Sequence, residues 1–190
     1  MDSLNIMSYP WEDHEFYTKW LAQTYFYVRH STRLVSLAAG HCDFTEVGQI
    51  WHERFLTHAR EESGHERLAA QDLAVLGYEV EQDFVEFMST RRLYSGYYYS
   101  HEPHLLMGYI LALEETAAEF GPSLLQVVKA AHGSKTTHFL AVHAKDDVEH
   151  VSAAHELVEL LPVAKINEVY ESKLGALDAY KRLLENCALK

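Results

Sequence analysis

Long stretches in which apolar residues recur at helical spacing most constrain what this chain can fold into. Only nine glycines and four prolines occur in 190 residues, and most of them stand between these stretches. Apolar positions three and four residues apart put one face of a helix against a core, whereas a half-buried strand needs strict alternation. The sequence therefore predicts an all-α protein with little room for a sheet.

The breaks between the stretches predict a bundle of six or seven helices. They lie at about 12–39, 46–76, 81–98, 103–118 with a continuation at 124–131, 135–161 and 164–184. Gly40 and Gly77 stand where the first two helices should end, and Pro103 stands where the fourth should begin. Gly121 and Pro122 predict a break or kink after the fourth. No internal repeat appears, so we expect one helical domain over residues 1–190.

Charge and cysteine usage exclude several classes of partner. Sixteen Lys and Arg stand against twenty-eight Asp and Glu, a formal net charge of −12. This charge repels polyphosphate and anionic lipid, so we expect neither nucleic acid nor a membrane as partner. Two cysteines and an N-terminus without a basic, apolar leader predict a cytoplasmic protein. A homodimer is the expected assembly, because twofold dimers are the commonest.

Histidines are abundant, thirteen in all, and three polar residues in the fifth helix are spaced like metal ligands. His143, Asp147 and His150 fall within about 60° of one another on a helix surface. They interrupt a row that continues with Phe139 before them and Leu157 after them. Burying a carboxylate and two imidazoles without partners is unfavourable by several kcal/mol, and a metal removes that penalty. The alternative is a structural network in which Asp147 bridges two histidines.

The second helix offers a further pair at matching spacing. Glu62 and His65 form a Glu-x-x-His motif in a row that contains Trp51, and this motif occurs in carboxylate-bridged iron sites of helical bundles. His58 precedes Glu62 by one turn, and a small rotation of the helix would replace Glu62 by Glu61. A solvated, charged helix face is the competing interpretation.

The fourth helix contributes Glu114, whose neighbours on the same face include Ile110 and Leu111. Glu115 lies on the adjacent strip and is expected to face solvent. A lone glutamate in an apolar row also fits a pairing with a core arginine. The three helices together predict the metal ligands Glu62, His65, Glu114, His143, Asp147 and His150. Oxygen-rich sites with a few histidines favour iron or manganese over zinc.

These segments resemble the haem-oxygenase-like diiron oxidase and oxygenase family, within the superfamily that includes TenA-like and PqqC-like proteins. The resemblance rests on 62–65, 72–77, 113–114 and the 143/147/150 triad, which occur in the family's order and roughly its spacing. It implies a seven-helix haem-oxygenase-like bundle and a site for two irons, at which dioxygen is activated. It further implies that a small organic acid, amino acid or related metabolite is oxidised, cleaved or desaturated.

One departure from the family concerns the first helix. Members commonly take a further glutamate from an early core helix, and the best-placed residue here is His30, on the face of Trp20 and Tyr27. Either His30 or His58 substitutes for that carboxylate, or one iron position is weak. We therefore include His30 among the predicted metal ligands and assign no catalytic residue beyond them.

Three other functions share this fold. A TenA-like hydrolase needs a nucleophilic thiol beside a buried glutamate, and Cys42 and Cys187 are poorly placed for that role. A haem-binding or haem-degrading protein would use His30 as the axial ligand. A non-catalytic binding protein would hold no metal at the polar cluster.

Three basic residues are candidates to anchor a substrate carboxylate, namely Arg29, Arg33 and Lys145. Exposed salt bridges explain them equally well.

Overall fold

Helices account for nearly all of the regular structure in the computed structural model, which describes residues 4–189. The all-α prediction is confirmed, since no strand occurs in this range. The helices are α1 His14–Val28, α2 Ser31–His41, α3 Glu46–Glu61, α4 His65–Val75, α5 Val80–Asp83, α6 Met88–Tyr94, α7 Pro103–His132, α8 His138–Glu159 and α9 Val163–Cys187. If α3 and α4 are taken as one kinked helix and the single turn α5 is set aside, the described bundle has seven helices.

Three of the predicted helices are interrupted. The first breaks at Arg29 and His30, between α1 and α2, and the second breaks at 62–64, between α3 and α4. Gly64 has φ 98°, a left-handed conformation that glycine adopts without steric penalty. The apolar period continues on both sides of each break because both halves pack on the same core. Periodicity alone therefore predicted continuous helices, which was wrong. The third, expected over about 81–98, consists of the single turn α5, a non-helical segment at 84–87, α6 and a 3₁₀ helix at Ser95–Tyr99.

The fourth predicted helix is longer than expected, because the break at Gly121 and Pro122 does not occur. α7 runs without interruption for 30 residues and contains Pro122. Gly121 lies against α8, where an added Cβ would stand 3.1 Å from Cα of Ala144. The glycine therefore lets two helices approach closely, and the exposed proline lies on the outer side of α7. Neither residue ends the helix.

α7 lies at the centre of the bundle and packs along α8 on one side and α9 on the other. Most aromatic residues of α1, among them Tyr17 and Trp20, are buried in the core. Their burial removes large apolar surfaces from water, which is the main favourable term in folding. Within the described residues, no helix combines the length and apolar character needed to span a membrane.

Candidate metal centre

Six of the seven predicted ligands come together in two groups where α3, α4, α7 and α8 meet. Within each group, one ligand atom from every member lies within 4.8 Å of the others. The first group contains Glu62, His65 and His143, and the second contains Glu114, Asp147 and His150. The sequence thus correctly predicted which residues are neighbours, although whether they hold a metal stays a prediction.

The kink between α3 and α4 shapes the first group. Glu62 is the last residue of the turn that ends α3, and His65 begins α4 just after Gly64. The carboxylate Oε2 of Glu62 lies 3.5 Å from Nδ1 of His65. The ring of His65 stands nearly perpendicular to that of His143, with centroids 4.9 Å apart. The group therefore offers two imidazoles and one carboxylate, the ligand set of many non-haem iron sites.

The second group is richer in oxygen. Nδ1 of His150 lies 3.5 Å from Oε1 of Glu114 and 3.5 Å from Oδ1 of Asp147. Nε2 of His58 approaches the same Glu114 oxygen at 3.4 Å. Two carboxylates and two imidazoles thus converge here, and ionised carboxylates and neutral imidazoles are good ligands for iron.

Asp147 connects the two groups. Its carboxylate accepts a hydrogen bond from Nδ1 of His143 at 3.1 Å while it also belongs to the second group. A carboxylate on one ring nitrogen fixes the tautomer and leaves the other nitrogen as the ligand. Nε2 of His143 is therefore the atom available to a metal, and its orientation is set by a residue one turn further along the same helix.

His58 is the residue whose importance the sequence indicated least clearly. It is buried on α3 one turn before Glu62, and it forms a third group with Glu61 and His150. Glu61 is more exposed and also pairs with Arg54 at 2.8 Å. The sequence signal for His58 is its one-turn spacing from Glu62, which makes it an alternative to His30 for the carboxylate that the family commonly has.

His30 does not join these groups. It lies in the break between α1 and α2, and its ring stacks on Tyr94 with centroids 4.0 Å apart. Its Nδ1 is 2.7 Å from the hydroxyl of Tyr98. The break turns the chain at His30, so the face it shares with Trp20 in a continuous helix is lost. His58, and not His30, stands beside Glu114.

Buried polar atoms without partners concentrate at the two groups. Among residues 4–189, nine buried side-chain nitrogen or oxygen atoms lack a hydrogen-bond partner. Five of these nine belong to the two ligand groups: Nδ1 of His65, both carboxylate oxygens of Glu114, Nε2 of His143 and Nδ1 of His150. An unpaired buried polar group costs about 1–3 kcal/mol, so folded proteins rarely tolerate such a cluster without a purpose. A metal ion would satisfy these atoms, and the donor set fits iron.

The carboxylates of the centre have imidazoles rather than lysine or arginine as neighbours. Within the described chain, no lysine or arginine forms an ion pair with Glu62, Glu114 or Asp147. Burial raises the pKa of Glu114. Burial also disfavours ionisation of Glu62, but the imidazoles of His65 and His143 beside it outweigh burial and lower its pKa to about 2. The three carboxylates therefore depend on the surrounding imidazoles, or on a cation, for neutralisation.

The imidazoles respond in the opposite direction. The carboxylates of Asp147 and Glu114 beside it raise the pKa of His150 to about 10. Burial opposes protonation of His143, but its hydrogen bond to Asp147 and the neighbouring carboxylates raise its pKa as well. A divalent metal supplies the same positive charge as these protons and competes with them for the same nitrogens.

Asp72 holds α8 in place from another helix. Its carboxylate is fully buried on α4, and it accepts hydrogen bonds from the backbone N–H of Phe139 at 2.9 Å and from Nδ1 of His138 at 2.8 Å. The first turn of α8 is thereby capped by α4, which begins with His65. The two helices that carry the first ligand group are tied together at this point.

Glu115 is also buried, contrary to the expectation that it faces solvent. It pairs with Lys173 of α9 and with Nε2 of His155 of α8, the latter at 3.1 Å. The expectation failed because a helix packed on two sides buries adjacent strips. This ion pair fixes α7 between α8 and α9, next to the unpaired Glu114.

A cavity adjoins the ligand groups. Its volume is about 100 Å³. The ligands His58, Glu62, Glu114, His143 and Asp147 lie along its wall. The remaining wall is mainly apolar and comes from α1, α2, α7, α8 and α9.

The cysteines lie away from this cavity. Cys42 caps α2 and donates a weak hydrogen bond to the carbonyl of Ala38, whereas Cys187 is buried at the end of α9. Burial raises the pKa of Cys42 to about 11 and that of Cys187 to about 12. Both thiols are therefore protonated at neutral pH, and neither lines the cavity. The thiol chemistry of a TenA-like hydrolase gains no support.

Comparison with known structures identifies the fold. A domain of unknown function with a haem-oxygenase-like fold from Shewanella denitrificans superposes with a TM-score of 0.84, at 21% identity over 98% of this chain and 86% of that one. A TenA homologue from Pseudomonas syringae gives a TM-score of 0.78, at 16% identity over 92% of this chain and 79% of that one. A CADD-like protein of unknown function from Nostoc punctiforme gives a TM-score of 0.71, at 16% identity over 98% of this chain and 93% of that one. The predicted haem-oxygenase-like fold is confirmed.

Sequence comparison identifies the family. No curated protein matches the chain. A family model described as iron-containing redox enzyme matches residues 18–181, which covers every residue of both ligand groups. The chain therefore belongs to the haem-oxygenase-like family of iron-containing redox enzymes.

Proposed function

We propose that this protein is a non-haem iron oxidase or oxygenase that binds two irons and uses dioxygen to oxidise a small organic molecule. The first iron is assigned to Glu62, His65 and His143. The second is assigned to Glu114, Asp147 and His150, with His58 as a further ligand. The proposal keeps the cytoplasmic location and the homodimer expected from the sequence.

The unpartnered ligand atoms carry this proposal. Five buried nitrogen and oxygen atoms without hydrogen bonds point to a bound cation, because a purely structural network would pair them with one another. The ligand types favour iron, and the matched family contains iron. A structural histidine network, the competing interpretation, leaves these five atoms unexplained.

Iron, when bound, supplies the electron-transfer chemistry with dioxygen that side chains alone lack. The chain's own residues bind the metal and orient its ligands. Asp147 fixes the ring of His143 so that Nε2 faces the first group, and Asp72 holds the start of α8 against α4. The apolar cavity wall beside Glu114 and Asp147 keeps bulk water from the reacting molecule.

Metal analysis tests the proposal. Protein from iron-supplemented culture is expected to contain close to two irons per chain by plasma mass spectrometry. His143→Ala removes the only ligand atom of α8 in the first group and should reduce the iron content by at least half. His14→Ala is the matched control, because His14 is exposed on α1 and belongs to none of the three groups.

Two results would reject the proposal. The first is that the purified protein contains no iron after anaerobic reconstitution with ferrous salt. The second is that neither His143→Ala nor His14→Ala changes the iron content.

A further inference from the structure

Two histidines, His58 and His150, stand between a pair of carboxylate oxygens. Nε2 of His58 lies 3.4 Å from Oε1 of Glu114, and its Nδ1 lies 3.7 Å from Oε2 of Glu61. His150 repeats this arrangement with its nitrogens reversed. Its Nδ1 lies 3.5 Å from the same Glu114 oxygen, and its Nε2 lies 3.5 Å from the same Glu61 oxygen. Each imidazole therefore faces Glu114 on the inner side of the second group and Glu61 on the outer side.

The two carboxylates are in different surroundings. Glu114 is buried, and neither of its oxygens accepts a hydrogen bond. The side chain of Glu61 is 38% exposed, and its Oε2 accepts a hydrogen bond from Nη1 of Arg54 at 2.8 Å. The guanidinium neutralises that oxygen and repels a second cation beside it. The oxygens of Glu114 therefore remain free for a metal, whereas Glu61 is a poor ligand.

The outer side is built by one face of α3. Arg54, His58 and Glu61 are spaced by four and three residues, which places their side chains on a common strip of the helix. Glu62 follows one residue later, about 100° further round the helix axis, and belongs to the first ligand group. The two adjacent glutamates therefore serve different groups, a distinction that the spacing of the sequence left open.

Metal binding requires a particular tautomer of each ring. A neutral imidazole binds a metal through the nitrogen without a proton, and its other nitrogen then carries one. The inner nitrogens are Nε2 of His58 and Nδ1 of His150, so the protons belong on Nδ1 of His58 and Nε2 of His150. Both of these N–H groups face Oε2 of Glu61. A carboxylate at this position stabilises the two tautomers that bind a metal on the inner side.

We infer that Glu61 is the positioning residue of the second iron: its carboxylate, held by Arg54, selects the metal-binding tautomers of His58 and His150 without itself binding the metal. This inference rests on the proposed function for the identity of the second group. Asp147 orients His143 in a comparable way, but Asp147 is also assigned as a ligand. Glu61 acts only through the two rings.

Glu61→Gln tests this role, because it keeps the size of the side chain and removes the charge that favours the two outer protons. Anaerobic equilibrium dialysis against ferrous iron measures the affinity for each iron. The second iron should bind roughly 10- to 100-fold more weakly to Glu61→Gln, and the first should change less than twofold. Glu53→Gln is the matched control, because Glu53 is exposed on the same helix and belongs to none of the three groups. An unchanged second affinity, or an equal loss of both irons, would overturn the inference.

Nitrogen NMR distinguishes this role from a purely structural one. Zinc, which is diamagnetic, replaces iron in protein that contains isotope-labelled histidine. The parent protein should carry protons on Nδ1 of His58 and on Nε2 of His150, and Glu61→Gln should let both exchange with water at least tenfold faster. Protons on the opposite pair of nitrogens would overturn the inference, because the metal would then lie on the side of Glu61.

The outcomes separate this inference from the proposed function. A parent protein that takes up no iron would refute both. Two irons in the parent protein, together with an unchanged second affinity in Glu61→Gln, would refute the positioning role alone. In the background of His143→Ala, which disrupts the first group, Glu61→Gln should weaken the remaining iron by the same factor. The absence of that loss would also refute the role of Glu61.

Discussion

Glu114 and Glu115 are adjacent buried carboxylates in opposite situations, and substitution of each by leucine should have opposite effects. Both carboxylate oxygens of Glu114 lack a hydrogen bond, whereas Glu115 is paired with Lys173 and His155. Both residues are about equally buried, at 7% exposure. The two variants therefore compare a carboxylate kept for a metal with one kept for the fold.

The expected magnitudes follow from these contacts. Glu114→Leu removes two unsatisfied oxygens, each unfavourable by about 1–3 kcal/mol, and loses only the weak approach of His58 and His150. We expect the metal-free protein to gain about 2 kcal/mol of unfolding free energy. Glu115→Leu leaves the ammonium of Lys173 buried without its partner and should lose about 3 kcal/mol.

Urea denaturation of both variants after chelator treatment measures these changes, and plasma mass spectrometry measures iron. Glu114→Leu should be more stable than the parent protein and should lose the second iron. The reasoning is refuted if Glu114→Leu destabilises the metal-free protein by more than about 1 kcal/mol, because Glu114 would then contribute to the fold.

The remaining predictions concern protons, helix capping and the excluded ligand. His150, with its pKa raised to about 10, is protonated at pH 8 when no metal competes, so ferrous iron should release protons when it binds. Iron affinity should therefore increase from pH 6 towards pH 10. Calorimetry in buffers of different ionisation enthalpy measures the proton release, and its absence would contradict the prediction. Asp72→Ala should lower unfolding free energy by about 2 kcal/mol and reduce iron retention during gel filtration, because α8 loses its cap; intact iron retention would show that the cap does not position the site. His30→Phe should keep the full iron content, and loss of iron in that variant would return His30 to the ligand set.

The sequence predicted that His143, Asp147 and His150 share one face because that signal is local. His143, Asp147 and His150 lie in one uninterrupted helix, where spacing alone fixes a common face. Glu114 was found for a similar reason, as a lone carboxylate in an apolar row on α7. The relation among helices came from the family resemblance, since spacing within one helix carries no information about which helix stands opposite.

Features that depend on tertiary contacts could not be predicted in this way. Asp72 caps α8 through hydrogen bonds with His138 and Phe139, which follow it by 66 and 67 positions in the sequence. No local sequence pattern predicts such a contact. The turn at His30 carries no glycine or proline, so the apolar period ran through it. At Gly121, the reverse error occurred, because a residue that usually interrupts a helix serves here as a contact with Ala144.

Anomalous diffraction at the iron absorption edge tests the central claim most directly, with crystals of protein reconstituted anaerobically with ferrous iron. The account predicts two anomalous peaks, one bounded by Glu62, His65 and His143 and the other by Glu114, Asp147 and His150. An iron-edge map without a peak at either group, or with iron bound elsewhere in the chain, would contradict it.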